Sequence, residues 1–142
     1  MVPTDAGTAC FDSKYTYQFW RPITAIRNAD IDGNPATTAD PTWTPLLTTP
    51  NHPEYPSGRV GVSSAAASVL AAFNGDAISF TVTSAGLPGV QRDFTSFSAA
   101  VAQVEDARVY AGFHFRFSCA DAAALGAQVA RYVTGALMQP LR

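Results

Sequence analysis

From Asp30 to Pro56 the chain carries proline, threonine, aspartate and asparagine in place of any helical or alternating apolar pattern. A structureless segment of this length is uncommon in a compact domain unless it serves a site or is tied down. It separates a helical stretch before it from several after it, so any fold must lay it across the body of the molecule. Trp43, Leu46, Leu47 and Tyr55 are the apolar residues available to pin it there. Within it, DIDGNP resembles the opening of a calcium loop, but Pro41 stands at the twelfth position, where that register needs an acid. A turn around Asp32-Gly33-Asn34-Pro35 is the better reading.

The flanking stretches read as helices. The first is expected from about Asp5 to Trp20, interrupted by Pro22, which disfavours helical geometry at Arg21 and can open a short helix of its own. The second runs from Ser57 to Phe73, with Val62, Ala66, Val69, Leu70 and Phe73 on one face and Asn74-Gly75 as its stop. Ile78–Thr83 alternates and can pair with Val90–Thr95 across Gly86-Leu87-Pro88-Gly89. A third helix is expected from Ser96 to Tyr110, with Val101 and Val104 inward. A fourth spans Cys119 to Met138, with Leu125, Val129, Tyr132, Val133, Ala136 and Leu137 inward. Small residues crowd the second and fourth helices and allow close packing. The fold class is all-α, a helical bundle with at most one small β-hairpin.

Composition narrows the function classes. A chain of 142 residues is one domain's worth, residues 1–142. With 47% hydrophobic and 14% charged residues it is not disordered, and a net charge of −2 does not suit a nucleic-acid coat. No apolar run approaches the ~20 residues of a membrane helix. MVPTDAGTACFDSK has no leader pattern, so the chain reads as soluble, exported or not. Cys10 and Cys119 are no disulfide framework; buried thiols are expected, with a single bridge open to an exported form. Neither a CxxC nor a zinc-spaced Cys/His cluster is present. There is one lysine, Lys14, and there are two histidines, His52 and His114.

Three segments carry chemistry. In Lys14-Tyr-Thr-Tyr-Gln-Phe-Trp-Arg21-Pro22 the two cations lie close to two helical turns apart, which would put them on nearly one face, able to converge on an anion. Read alone, they also fit two solvated cations beside an aromatic stripe. In Tyr55-Pro56-Ser57-Gly58-Arg59, Ser57 is a natural N-cap, and the exposed N–H groups of a helix start attract anions. In Arg108-Val-Tyr-Ala-Gly112-Phe-His114, Arg108 falls on an inward face and needs a partner. On a straight helix Arg108 and His114 would diverge by about 120°, so their convergence needs a bend near Gly112.

Taken together, K-x6-RP, PSG at a helix start and R-x3-GxH, in this order, resemble the vanadium-dependent haloperoxidase and type 2 phosphatidic acid phosphatase superfamily. The stretches FWRPITAIR, TWTPLL, HPEYPSG, FTSFSAA and YAGFHFRFS look like its soluble, haloperoxidase-like branch, over nearly the whole chain. The resemblance implies a helical bundle around an anion pocket. Lys14, Arg21 and Arg108 would bind the oxyanion's oxygens, Ser57 and the Gly58 N–H would donate to it, and His114 would be the vanadate ligand or the phosphatase nucleophile. Vanadate is the implied cofactor, with phosphate as competitor or substitute.

The implied function is oxidation of halide by hydrogen peroxide. The alternatives are an acid phosphatase acting through a phosphohistidine, and a non-catalytic phosphate- or vanadate-binding or interaction domain. The partners are small molecules, peroxide and halide or a phosphoester, with no nucleic acid and no membrane span. Three positions depart from the family pattern. Arg59 replaces the histidine of PSGH and cannot shuttle a proton. Ala107 replaces the serine before the family arginine. Ser118 stands where many members have an aspartate orienting the active histidine, leaving Asp121 as the nearest acid in sequence. With Arg59 altered, His52 is the remaining imidazole for proton transfer; its alternative is a structural hydrogen bond to the backbone. Family enzymes carry helices ahead of the first motif, so the resemblance implies the C-terminal part of a larger fold, with an exposed apolar face that favours a homodimer or poor solubility.

Overall fold

The computed structural model describes residues 1–137. Its elements are α1 (Val2–Tyr17), α2 (Pro22–Arg27), a 3-10 turn (Ala29–Ile31), α3 (Gly58–Asn74), β1 (Phe80–Ser84), β2 (Leu87–Phe94), α4 (Phe97–Tyr110) and α5 (Arg116–Leu137). The long helices α1, α3, α4 and α5 form the bundle, with α3 at its centre against the other three. No helix among the described residues is long and apolar enough to cross a membrane.

Small residues set the packing. A Cβ built on Gly126 of α5 would lie 2.2 Å from the Gly61 carbonyl oxygen of α3, so the two backbones touch where both helices have glycine. One core cluster joins Val2 and Ala6 of α1, Ala65 of α3 and Ala130 and Val133 of α5. A second joins Val60, Cys119 and Ala122, with Val101 and Val104 of α4 packed on it as expected. This close approach selects the inward faces. On α3 the buried residues are Val60, Gly61, Ser64 and Ala65, whereas Leu70 and Phe73, expected inward, are exposed. On α5 they are Ser118, Cys119, Ala122, Gly126, Ala130 and Val133, while Tyr132, Ala136 and Leu137 face out. Large side chains do not fit a seam whose backbones are in contact. The expected end of α5, Met138, lies outside the described residues.

Other boundaries shift for local reasons. α1 starts at Val2 with Pro3 in its first turn and stops at Tyr17, three residues before the expected Trp20, because Gln18 takes the left-handed conformation (φ 48°). α5 starts at Arg116, three residues ahead of Cys119. The strands pair antiparallel, Phe80 opposite Phe94 and Ser84 opposite Leu87, so the turn is Ala85-Gly86 and Leu87 to Gly89 belong to β2. Phe80 sits 5.4 Å from both Phe94 and Phe97, ring centre to ring centre, which anchors the hairpin to α4.

The 30–56 segment is held mainly by backbone. Asp40 N–H donates to Ile26 O, Arg27 Nε to Trp43 O at 2.9 Å, and Glu54 N–H to Phe19 O at 2.9 Å. Trp43 is half-buried against Gly112, whereas the Leu46 and Leu47 side chains are exposed, and Leu47 holds the segment only through its N–H, which donates to Ala111 O at 3.4 Å. Asn34 N–H donates to Asp32 Oδ1 (2.7 Å) and Ala36 N–H to Asn34 Oδ1 (3.0 Å), the expected turn. Cys10 and Cys119 are buried free thiols, so no bridge joins them.

Candidate oxyanion site

Lys14, in the last turn of α1, is fully buried, and its ammonium donates to the carbonyls of Pro53 (2.8 Å) and Glu54 (2.9 Å). Arg21 lies beyond the helix in extended backbone (φ −78°, ψ 156°), as a residue before proline should be. The two cations therefore do not share a helix face, contrary to the two-turn expectation. They converge because both reach the same loop segment. Arg21 Nε donates to His52 O at 3.1 Å, Nη2 to His52 O at 3.0 Å, and Nη1 to Phe113 O at 2.8 Å. Burial, and then the nearby Arg21, together push the Lys14 pKa down to about 8 against the opposing pull of Glu54.

His114 sits in the link between α4 and α5. α4 ends at Tyr110, and Gly112 turns the chain at φ 80°, a conformation costly for any residue with a Cβ; a Cβ there would also meet Pro45 at 3.1 Å. This supplies the expected bend. Arg21 Nη1 lies 3.2 Å from His114 Nε2, and a guanidinium can only donate, so Nε2 carries the lone pair. Nδ1–H then donates to Glu54 Oε1 at 2.6 Å, and the Phe115 N–H donates to the same oxygen at 3.0 Å. Burial lowers the imidazole's pKa, outweighing the opposing pull of the Glu54 hydrogen bond. His114 is thus neutral, in the tautomer that offers Nε2 to an electrophile.

Ser57 precedes α3 as its N-cap residue, yet its hydroxyl caps nothing. Among the described residues the Oγ is buried with no oxygen or nitrogen partner, its polar neighbour being the Cys119 thiol, and Arg108 Nε is buried without a partner. Arg108 packs its guanidinium over Phe113, 4.9 Å from the ring centre. A cavity of about 290 Å³ opens beside these groups, lined by His52, Gly58, Arg59, Arg108 and His114 and walled by Phe11 and Phe113. Lys14, Arg21 and Ser57 stand behind this lining; a Cβ on Gly58 would sit 3.6 Å from Lys14 Cε. All six residues of the three motifs thus belong to one cluster. Arg59 is exposed at the cavity mouth, and Ala107 is exposed on α4.

His52 Nδ1 lies 3.1 Å from Arg21 Nη2 and 3.1 Å from Pro53 O. One ring nitrogen cannot accept from the first and donate to the second in the same tautomer, and neither contact engages Nε2. Burial lowers its pKa, so it too is neutral near pH 7. Arg21 therefore bridges both imidazoles of the chain.

Glu54 went unassigned by motif reading. It is fully buried, with Oε2 unpartnered, and does for His114 what the nearest acid in sequence does not: Asp121 is exposed and accepts from the Tyr55 hydroxyl at 3.0 Å. The one signal was a lone carboxylate between two prolines directly ahead of PSG.

The donor set fits a tetrahedral or trigonal-bipyramidal oxyanion. Lys14 and Arg21 are desolvated cations beside one buried carboxylate, Arg108 is desolvated next to Arg59, and among the described residues the Ser57 hydroxyl and Arg108 Nε lack an oxygen or nitrogen partner of the kind such an anion would supply. The α3 N-terminus adds N–H groups and a favourable dipole.

The family described as VCPO second helical-bundle domain matches residues 1–142. The fold is similar to the crystal structure of the first bacterial vanadium-dependent iodoperoxidase, with a TM-score of 0.82 and 32% identity, over 94% of this chain and 31% of that one. It is also similar to an apo-type bacterial vanadium-dependent chloroperoxidase (TM-score 0.71, 24% identity, 92% of this chain and 34% of that one). For the holo-type enzyme the values are 0.60, 26%, 78% and 28%. The chain spans about a third of the length of these solved structures. No curated protein matches it.

Proposed function

The chain belongs to the VCPO second helical-bundle domain family, and on that premise we propose that it binds vanadate and supports peroxide-dependent oxidation of halide. One observation carries the reading: among the described residues the Ser57 hydroxyl and Arg108 Nε are buried with no oxygen or nitrogen partner, beside a neutral His114 held in the Nε2 lone-pair tautomer.

In this reading His114 Nε2 is the vanadate ligand, released from Arg21, and Glu54 fixes the ring and makes it a better donor. Lys14, Arg21 and Arg108 neutralise the oxygens, and Ser57 Oγ and the Gly58 N–H donate to them. Bound vanadate supplies the Lewis acidity that activates peroxide toward halide. Phe11 and Phe113 wall the cavity and keep the local dielectric low, which strengthens every charge contact inside. Arg59 holds charge at the mouth but moves no proton. His52 is the neutral imidazole in the same lining, and we assign it a proton transfer slower than a histidine at position 59 would give, because its Nδ1 is held by Arg21 and Pro53 O.

The test is bromide or iodide oxidation by peroxide with vanadate present, in the protein and in His114→Ala. Turnover that depends on vanadate, falls with added phosphate and vanishes in the variant supports the reading. Phosphomonoester hydrolysis with no halide oxidation would make the domain a phosphatase acting through His114. Vanadate binding without either reaction would make it an oxyanion-binding remnant.

A further inference from the structure

A second cavity, of about 730 Å³, lies between α4 and the hairpin and shares Arg59 and Arg108 with the oxyanion pocket. Its apolar wall is Phe80, Phe94 and Tyr110. Arg92 faces it from β2, where it stands opposite Val82. Neither the Arg59 nor the Arg92 guanidinium makes a hydrogen bond or ion pair among the described residues. The one acid in the lining, Asp106, is engaged by Arg116 at 2.6 Å. A chain of net charge −2 thus gathers three guanidiniums around an aromatic-walled groove with no free carboxylate.

We propose that this groove binds an aromatic organic anion, a ring system bearing a carboxylate or similar group, next to the oxyanion pocket. Planar guanidiniums recognise a carboxylate through paired N–H donors and stack on aromatic faces, and the rings of Phe80, Phe94 and Tyr110 give the ligand's body an apolar surface. The volume is that of a small-molecule site. Arg108 faces both cavities, so an anion in the groove sits within reach of whatever occupies the pocket. The groove's use as the seat of an organic reactant rests on the oxyanion reading; the class of ligand rests on the groove alone.

The probes are 2-naphthoate, its neutral analogue 2-naphthylmethanol and inorganic phosphate, each titrated into the protein while backbone amide signals are followed. Naphthoate should shift β2 and α4 and bind about ten-fold more tightly than the alcohol. Arg92→Gln, on an exposed strand, should weaken naphthoate about five-fold and leave phosphate unchanged. Naphthoate should still bind when phosphate saturates the pocket. Equal binding of acid and alcohol, insensitivity to Arg92→Gln, or complete displacement by phosphate would each overturn the proposal. Naphthoate binding with no phosphate binding would leave the groove standing and remove the oxyanion reading.

Discussion

Glu54 and His114 meet across 60 positions of sequence, Oε1 to Nδ1 at 2.6 Å, both buried. This contact sets the tautomer of His114, one of two imidazoles lining the cavity. Glu54 is also the carboxylate that balances Lys14 and Arg21. Glu54→Gln keeps the shape and removes the charge, leaving two buried cations uncompensated. It should cost about 3 kcal/mol in urea unfolding. A loss under 1 kcal/mol would show that solvent already screens the cluster.

Lys14 gives a signed pH dependence. Its folded pKa of about 8 lies below the ordinary 10.5, so above pH 8 the unfolded chain holds the proton that the folded one sheds. Stability should therefore rise from pH 8 to 9 and be pH-independent on this account below 8. Above 9 the buried Cys119 thiol, raised to about 11, cancels this slope, and the Cys10 thiol, also raised by burial, turns it downward. Lys14→Met should abolish the rise. Phosphate affinity should run the other way, falling above pH 8 as the ammonium is lost; isothermal titration at pH 7 and 9 measures it.

The motif spacing made the site legible, but not the means of its assembly. Lys14 and Arg21 converge through the carbonyls of His52 and Pro53 rather than along a helix, because Gln18 ends α1 early. Nothing in the side chain of a glutamine announces a left-handed residue. Glu54 is not legible in the motifs because they place an orienting acid near His114 in sequence, whereas the loop delivers one from 60 positions away. The inward faces of α3 and α5 differ from the apolar pattern for another reason. Leu70, Phe73 and Tyr132 carry the larger apolar surface, yet glycine contact between the helices leaves room only for small residues.

That seam predicts opposite outcomes for two glycines of α5. Gly126→Ala drives a methyl to 2.2 Å from Gly61 O and should destabilise by about 1–3 kcal/mol or more. Among the described residues a Cβ on Gly135 meets nothing within 4 Å, and Gly135→Ala should stabilise by about 0.4–1 kcal/mol. Thermal unfolding of the pair checks both signs.

Arg59→His would restore a titrating group one residue beyond Gly58, at the cavity mouth. Vanadate-dependent bromide oxidation should rise by a factor of order 10². Equal rates in both proteins would show that proton transfer does not pass through position 59 and would leave His52 as its route.

The most direct measurement is a crystal structure of the protein soaked in orthovanadate. The account predicts vanadium bonded to His114 Nε2, with Arg21 Nη1 turned from that nitrogen onto a vanadate oxygen. Oxygens should lie within about 3 Å of Ser57 Oγ, the Gly58 N–H and Arg108. Vanadate bound elsewhere, or a cavity without it while Arg21 still holds His114 Nε2 and Ser57 Oγ stays unpartnered, would contradict the assignment of these residues to an oxyanion site.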